Sequence, residues 1–183
     1  MTKVYLPVIC YNHTVLSHFM FSVMQLVFEG QRRGISFSLD CIYFESLIAR
    51  ARNAAASNFL NRTDCDYMMF IDSDIEFQPH HVTNLLDFNE DIVGAAYSKR
   101  APPFVATAWT EIDKWNTHVK PSEQTDSHIK VEAMGLGFCL INISVFDKIK
   151  LPWFELGFHN GQYTGEDIEF FRKCISTDIW LDI

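Results

Sequence analysis

Tyr67-Met68-Met69-Phe70-Ile71 is an uninterrupted apolar run that stops abruptly at Asp72-Ser73-Asp74. A strand without polar alternation is stable only when both of its faces are covered, as happens in a mostly parallel sheet with helices on each side. The flanking pattern agrees. Val4 to Cys10 is β-rich, and an apolar-periodic stretch from Val15 to about Phe28 predicts a helix ending at Gly30 and Gly34. Ile35, Phe37, Leu39 and Cys41 alternate with Ser36, Ser38 and Asp40, which predicts a strand over 35–42 with one polar face. Ser46 is placed to cap an alanine-rich helix from Leu47 to about Leu60, with Ile48, Ala51, Ala55 and Phe59 on its buried face and Arg50 and Arg52 on other sides. Pro79 opens a helix to about Phe88, and Asp91 to Ala96 is another buried strand.

The pattern loosens from Tyr97 to Ser127, where Ser98-Lys99-Arg100 and Pro102-Pro103 predict an irregular or antiparallel excursion. Strands are then expected at Ile129 to Ala133 and Ile179 to Asp182, with helices at Ser144 to Ile149 and from Gly165-Glu166-Asp167 to about Cys174. The whole is one α/β domain with a mostly parallel central sheet flanked by helices and a smaller antiparallel or irregular portion. The chain stops inside an apolar strand, so a longer polypeptide with further domains is expected.

With 183 residues, 48% hydrophobic and 21% charged, the chain can bury a real core and is not of the disordered class. Its net charge of −8 disfavours nucleic acid and anionic bilayers as partners, so an anionic ligand must be met by local positive groups. Cys10, Cys41, Cys65, Cys139 and Cys174 form no CxxC pair and read as reduced core thiols. Without a cationic leader or a long apolar span, a cytoplasmic location and no membrane insertion are expected. The sequons at Asn12, Asn61 and Asn142 are then chance matches.

On extended backbone, residues two apart point the same way, so Asp72 and Asp74 can present carboxylates about 7 Å apart with Ser73 turned away. In an open α/β sheet, ligands collect beyond the carboxyl ends of the strands, where Asp72-Ser73-Asp74 falls. Such a pair suits Mg2+ or Mn2+ bridging a diphosphate, against the plainer reading of a solvated turn. Arg50, Arg52, Lys99 and Arg100 are the local cations for such an anion. Gly135 and Gly137 mark either close backbone approach to a ligand or ordinary turns. Glu166 and Asp167 start a helix, where a carboxylate either caps the helix or serves as general base for an attacking hydroxyl. His80 and His81 diverge along a helix and read as exposed.

Tyr67 to Phe77, with its Asp-x-Asp, resembles the nucleotide-sugar-dependent glycosyltransferases of the GT-A fold, and other segments agree. Ala49-Arg50-Ala51-Arg52-Asn53 is similar to the family's Ala-Arg-Asn helix, Gly135-Leu136-Gly137-Phe138 to its sugar-site glycine segment, and Gly165-Glu166-Asp167 to its Glu-Asp motif. The resemblance spans nearly the whole chain, and Asn12-His13-Thr14 is similar to the style of glycosyltransferase domains of large algal viruses, which would put it in a host cytoplasm. It implies a single GT-A-like domain, with residues 1–97 as the nucleotide-binding half and 98–183 as the sugar and acceptor half. It implies that Tyr11, Asn12 and Asp40 contact base or ribose, that Arg52 and Ser73 lie near the nucleotide, that Asp72 touches ribose or metal, and that Asp74 binds the metal that holds the diphosphate. Gly135 to Gly137 would line the donor sugar, and Glu166 and Asp167 would face sugar and acceptor. The family also places a metal-binding His shortly after a final strand like Ile179 to Asp182, and this sequence stops first.

The expected activity is thus metal-dependent transfer of a sugar from a nucleoside diphosphate sugar, a UDP-sugar first among them, to a glycan or other hydroxyl acceptor. Two other readings stay open. A haloacid-dehalogenase-like phosphatase also has an apolar strand ending in Asp-x-Asp, although it expects a small residue and Thr where Ile75-Glu76 stand. A non-catalytic nucleotide- or carbohydrate-binding module would share the pockets without turnover.

Overall fold

The computed structural model describes residues 1–183 apart from 62, 63, 100, 101, 103, 115, 116, 125 and 175 and the side chain of Tyr11. Arg100, part of the Asn61 sequon and Pro103 of the diproline therefore lie outside the described residues. β1 (Thr2–Cys10) leads through a 3-10 turn at Tyr11–His13 into α1 (Ser17–Arg33), then β2 (Ile35–Tyr43), α2 (Ile48–Asn61), β3 (Tyr67–Ile71), α3 (Pro79–Asp87) and β4 (Ile92–Ala95). The second half carries β5 (Ala108–Trp109), β6 (His128–Lys130), β7 (Ala133–Met134), β8 (Phe138–Asn142), α4 (Ser144–Lys148), β9 (Gly157–His159), β10 (Gln162–Thr164), α5 (Glu166–Lys173) and β11 (Ile179–Asp182).

One seven-stranded sheet organises the chain in the order β2-β1-β3-β8-β4-β11-β6. β1 runs parallel to β2 and to β3, and β4 runs parallel to β11, whereas β8 is antiparallel to both β3 and β4 and β6 is antiparallel to β11. The sheet is therefore mixed rather than mostly parallel as expected: the pairings of β1 with β2 and β3 and of β4 with β11 are parallel, and the insertion of β8 between β3 and β4 and of β6 at the edge makes the other three antiparallel. β3 is buried at every position, and its residues alternate between two cores. Met68 and Phe70 join Tyr5, Ala55, Phe59, Phe154 and Phe170 on one face. Tyr67, Met69 and Ile71 join Leu6, Phe19, Leu26, Val82 and Leu85 on the other. Covering both faces is what the missing polar alternation required, and each large side chain so buried contributes about 1.5–3 kcal/mol.

Two local expectations need correction. Gly30 does not end α1 but lies buried within it, because a Cβ there would come 2.5 Å from the Phe37 ring and hold the helix off β2. β2 is an edge strand whose far end is left uncovered by α1, so Leu39 and Cys41, expected on its buried side, are exposed. The excursion after Tyr97 is antiparallel where it is regular, β5 pairing with β7; further along the chain β9 and β10 form a separate hairpin. Among the described residues, no helix is long and apolar enough to cross a membrane.

Candidate functional site

The site is built at the carboxyl end of β3. The backbone N–H of Asp72 donates to Gly137 O at 2.9 Å, so the β3–β8 ladder runs one residue past Ile71 before the chain turns. Ile75 N–H then donates to Asp72 O at 2.9 Å, and Leu16 N–H and His18 Nε2 donate to Ser73 O and Asp74 O at 3.4 and 3.3 Å. Asp72, Ser73 and Asp74 thus sit half-buried in a hydrogen-bonded turn pinned to the start of α1.

Arg52 is the centre of the arrangement. The alanine face of α2 was expected to leave it outside, yet Ala51, Arg52, Ala55, Ala56 and Phe59 form the buried stripe, while Ile48 is 38% exposed. Small alanines bring α2 close to the sheet, and the long Arg52 stem then spans the space beneath the helix to the strand ends. Its guanidinium stands 4.8 Å over the Phe70 ring. Nη2 donates to Asp72 Oδ1 at 3.3 Å, Nε to Glu166 Oε1 at 3.1 Å, and Nη1 to Leu136 O at 3.4 Å. One planar fork therefore ties the turn after β3, the glycine segment before β8 and the first residue of α5. Arg50 points away, exposed and paired with Glu45, and Lys99 lies over Trp109, 5.9 Å from the ring centroid.

Tyr97, two residues beyond β4, closes the same corner. Its hydroxyl accepts the Gly137 N–H at 2.9 Å, and burial together with the Asp72 charge pushes its pKa up to about 12. A Cβ on Gly137 would stand 2.6 Å from that hydroxyl and 2.7 Å from Asp72 Oδ2, so only glycine lets the three groups meet. Tyr97 carries no motif of its own in the sequence. The available signal was its place just past a buried strand, the counterpart of Asp72 after β3.

No family model matches the chain, and no curated protein matches it in sequence. Solved structures resemble it in fold. "Crystal Structure of A197 from STIV" aligns over 99% of this chain and 81% of that one with a TM-score of 0.63 at 20% identity. At that identity the likeness is one of fold: an α/β domain with a mixed central sheet.

The remaining site candidates fall in three places. Glu166 is almost enclosed beside Arg52, with its side chain 12% exposed. Asp167, next in the first turn of α5, accepts the Ile168 N–H at 2.8 Å, and burial with the neighbouring Glu166 charge raises its pKa. Gly135 donates its N–H to Thr107 O at 2.6 Å, on the Tyr97 side of the segment. Asn12 stands apart at the end of β1, exposed and left-handed at φ 54, next to His13, whose ring lies 5.0 Å from Tyr43 and 3.9 Å from Phe44. The backbone of Tyr11 belongs to that turn. Asp40 is not at a strand end: it lies inside β2, where it accepts from Tyr5 Oη at 2.6 Å and Asn58 Nδ2 at 3.1 Å.

Among the described residues, no three His, Cys, Asp or Glu side chains converge as a metal cage. Asp72 and Asp74 supply hard oxygen donors within one turn, and one oxygen of Asp72 is engaged by Arg52. This donor set fits a divalent ion that completes its shell with water and substrate phosphate, and does not fit an ion held by protein alone.

Proposed function

We propose that this chain transfers a sugar from a nucleoside diphosphate sugar, with UDP as the preferred carrier, to a hydroxyl acceptor. The observation that carries the reading is the Arg52 fork, which sets the Asp72 turn and Glu166 side by side at the carboxyl edge of the sheet. A leaving diphosphate needs positive charge in a chain of net charge −8, and Arg52, 5% exposed and bonded to two carboxylates, would serve by holding Asp72 and Glu166 in place for the ion that meets it. Asp72 and Asp74 would hold Mn2+ or Mg2+, which when bound neutralises charge on the diphosphate. Gly137, with no side chain, lets Tyr97 and Asp72 close against the segment that would line the sugar. Asp167, its carboxyl made more basic by burial, would take the proton of the acceptor hydroxyl. The nucleotide base has an aromatic surface in His13, Tyr43 and Phe44 beyond the ends of β1 and β2.

Thermal unfolding with UDP, GDP and dTDP, each with Mn2+ and with EDTA, tests this reading. Stabilisation by UDP that requires Mn2+ is expected, because diphosphate and the Asp72–Asp74 turn repel without a cation between them. Equal stabilisation in EDTA, or none with any nucleotide, would remove the donor site. Release of inorganic phosphate from a phosphoester with no nucleotide requirement would favour the phosphatase reading instead.

A further inference from the structure

A cavity of about 540 Å³ opens beside Asp167, between α5, the β9–β10 hairpin and the loop that follows Trp109. Its size is that of a small-molecule site. Beside their charged groups, its walls carry two kinds of surface. Trp109 and Tyr163 offer ring surfaces, and Asn160 and Gln162 offer uncharged hydrogen-bonding groups. Tyr163 is 76% exposed, and its ring is steadied by Phe158 directly across the hairpin, with centroids 4.9 Å apart. Large aromatic rings held out in solvent, ordered by each other, mark a recognition surface.

The hairpin is fastened to α5. Buried Glu169 accepts from Thr164 Oγ1 and, at 2.9 Å, from His159 Nε2, and lies 3.5 Å from Arg172 Nε. Each described cation of the wall faces a carboxylate: Arg172 Nη1 pairs with Asp113 at 2.7 Å, although its buried Nε makes no hydrogen bond among the described residues, His159 pairs with Glu169, and Lys114 with Glu111. A site with paired cations and open aromatic faces gains little from an anion. Its match is a neutral, hydroxyl-rich ring whose C–H faces lie on aromatic surfaces and whose hydroxyls bond to amides.

We propose that this cavity binds a neutral saccharide as the acceptor, with sugar rings against Trp109 and Tyr163 and a hydroxyl directed at Asp167. The acceptor role rests on the glycosyl-transfer reading; the ligand class rests on the cavity alone. In the transfer, the acceptor oxygen bonds to the donor's anomeric carbon and its proton passes to the Asp167 carboxylate. The bond from that carbon to the diphosphate oxygen breaks, and its electron pair leaves on the diphosphate.

Saturation-transfer NMR against neutral oligosaccharides of glucose, galactose, mannose and N-acetylglucosamine, with sialylated and sulfated counterparts alongside, tests it. At least one neutral saccharide is expected to bind, and Tyr163→Ala to weaken it tenfold or more while the Mn2+-dependent shift with UDP is unchanged. Failure of every neutral saccharide, binding of anionic ones only, or undiminished binding by Tyr163→Ala overturns the proposal. Tyr163-dependent saccharide binding in a protein that ignores UDP would instead sink the donor reading and leave the cavity's ligand class standing.

Discussion

Arg52 Nε and Glu166 Oε1 meet at 3.1 Å although 114 positions separate them in the chain. The same guanidinium reaches Asp72, so the turn after β3 and the start of α5 are held in one frame by a side chain only 5% exposed. Charge and geometry are coupled here: the carboxylates tolerate burial because Arg52 is between them, and Arg52 tolerates it because of them.

Arg52→Ala is therefore expected to cost about 3 kcal/mol, the lower end for breaking a buried pair, because Asp72 is open enough to water to be partly screened. For a domain of this size that is a fall in Tm of about 6–12 °C. Arg52→Lys keeps the charge but loses the fork, so Tm should recover in part while Mn2+-dependent UDP binding does not. Equal Tm values for wild type and Arg52→Ala would mean that the pairs contribute nothing to stability.

Gly137→Ala probes the close corner. Its methyl group must displace the Tyr97 hydroxyl or the Asp72 carboxylate, at a cost of about 1–3 kcal/mol for overpacking. Chemical denaturation should show that loss together with weaker nucleotide binding. A variant as stable as wild type would mean that Tyr97 moves freely aside.

The strand at 67–71 and its acidic end were legible because an apolar run without alternation has few stable environments, and its two faces do lie in two cores. The position of Arg52 was not. Helical periodicity ranks faces by apolar content, and it favoured Ile48, whereas the partners that bury Arg52 come from distant segments that no local pattern includes. β8 escaped for a related reason. Phe138-Cys139-Leu140-Ile141-Asn142 follows two glycines that read as a loop, and its place between β3 and β4 is fixed by registers such as Met69 with Leu140, across the whole sheet. Asp40 shows the converse. Its polar place in the β2 alternation was readable, but a bond to Tyr5 from the neighbouring strand decides its environment.

Asp74→Asn separates metal from fold. Asp74 is half-buried in the turn after β3, and asparagine keeps its size and most of its hydrogen-bonding capacity, so the variant should unfold within about 1 kcal/mol of wild type. Calorimetry with Mn2+ should show UDP affinity falling tenfold or more. Unchanged affinity would leave Asp74 as an ordinary turn residue.

Asp167→Asn should change stability and turnover in opposite directions. Burial, then Glu166, raises the pKa of this carboxyl in the folded protein above its unfolded value, so over the interval between the two the folded state binds more protons. The sign follows: ionising Asp167 penalises the folded state, and the penalty is absent below the unfolded value and complete above the folded one. Asparagine carries no such penalty and can still accept the Ile168 N–H, so the variant should be more stable than wild type at pH 7, with the difference vanishing as the pH falls below about 4. Turnover should fall by roughly 100-fold or more, the scale for losing a general base, while UDP affinity changes little. In wild type the acid limb of the rate profile should follow Asp167 and therefore lie above the ordinary aspartate range. Unfolding curves from pH 4 to 8 for both proteins, set beside donor turnover, decide the matter. A variant less stable than wild type at pH 7 with full turnover would reduce Asp167 to a helix cap and transfer the role to Glu166.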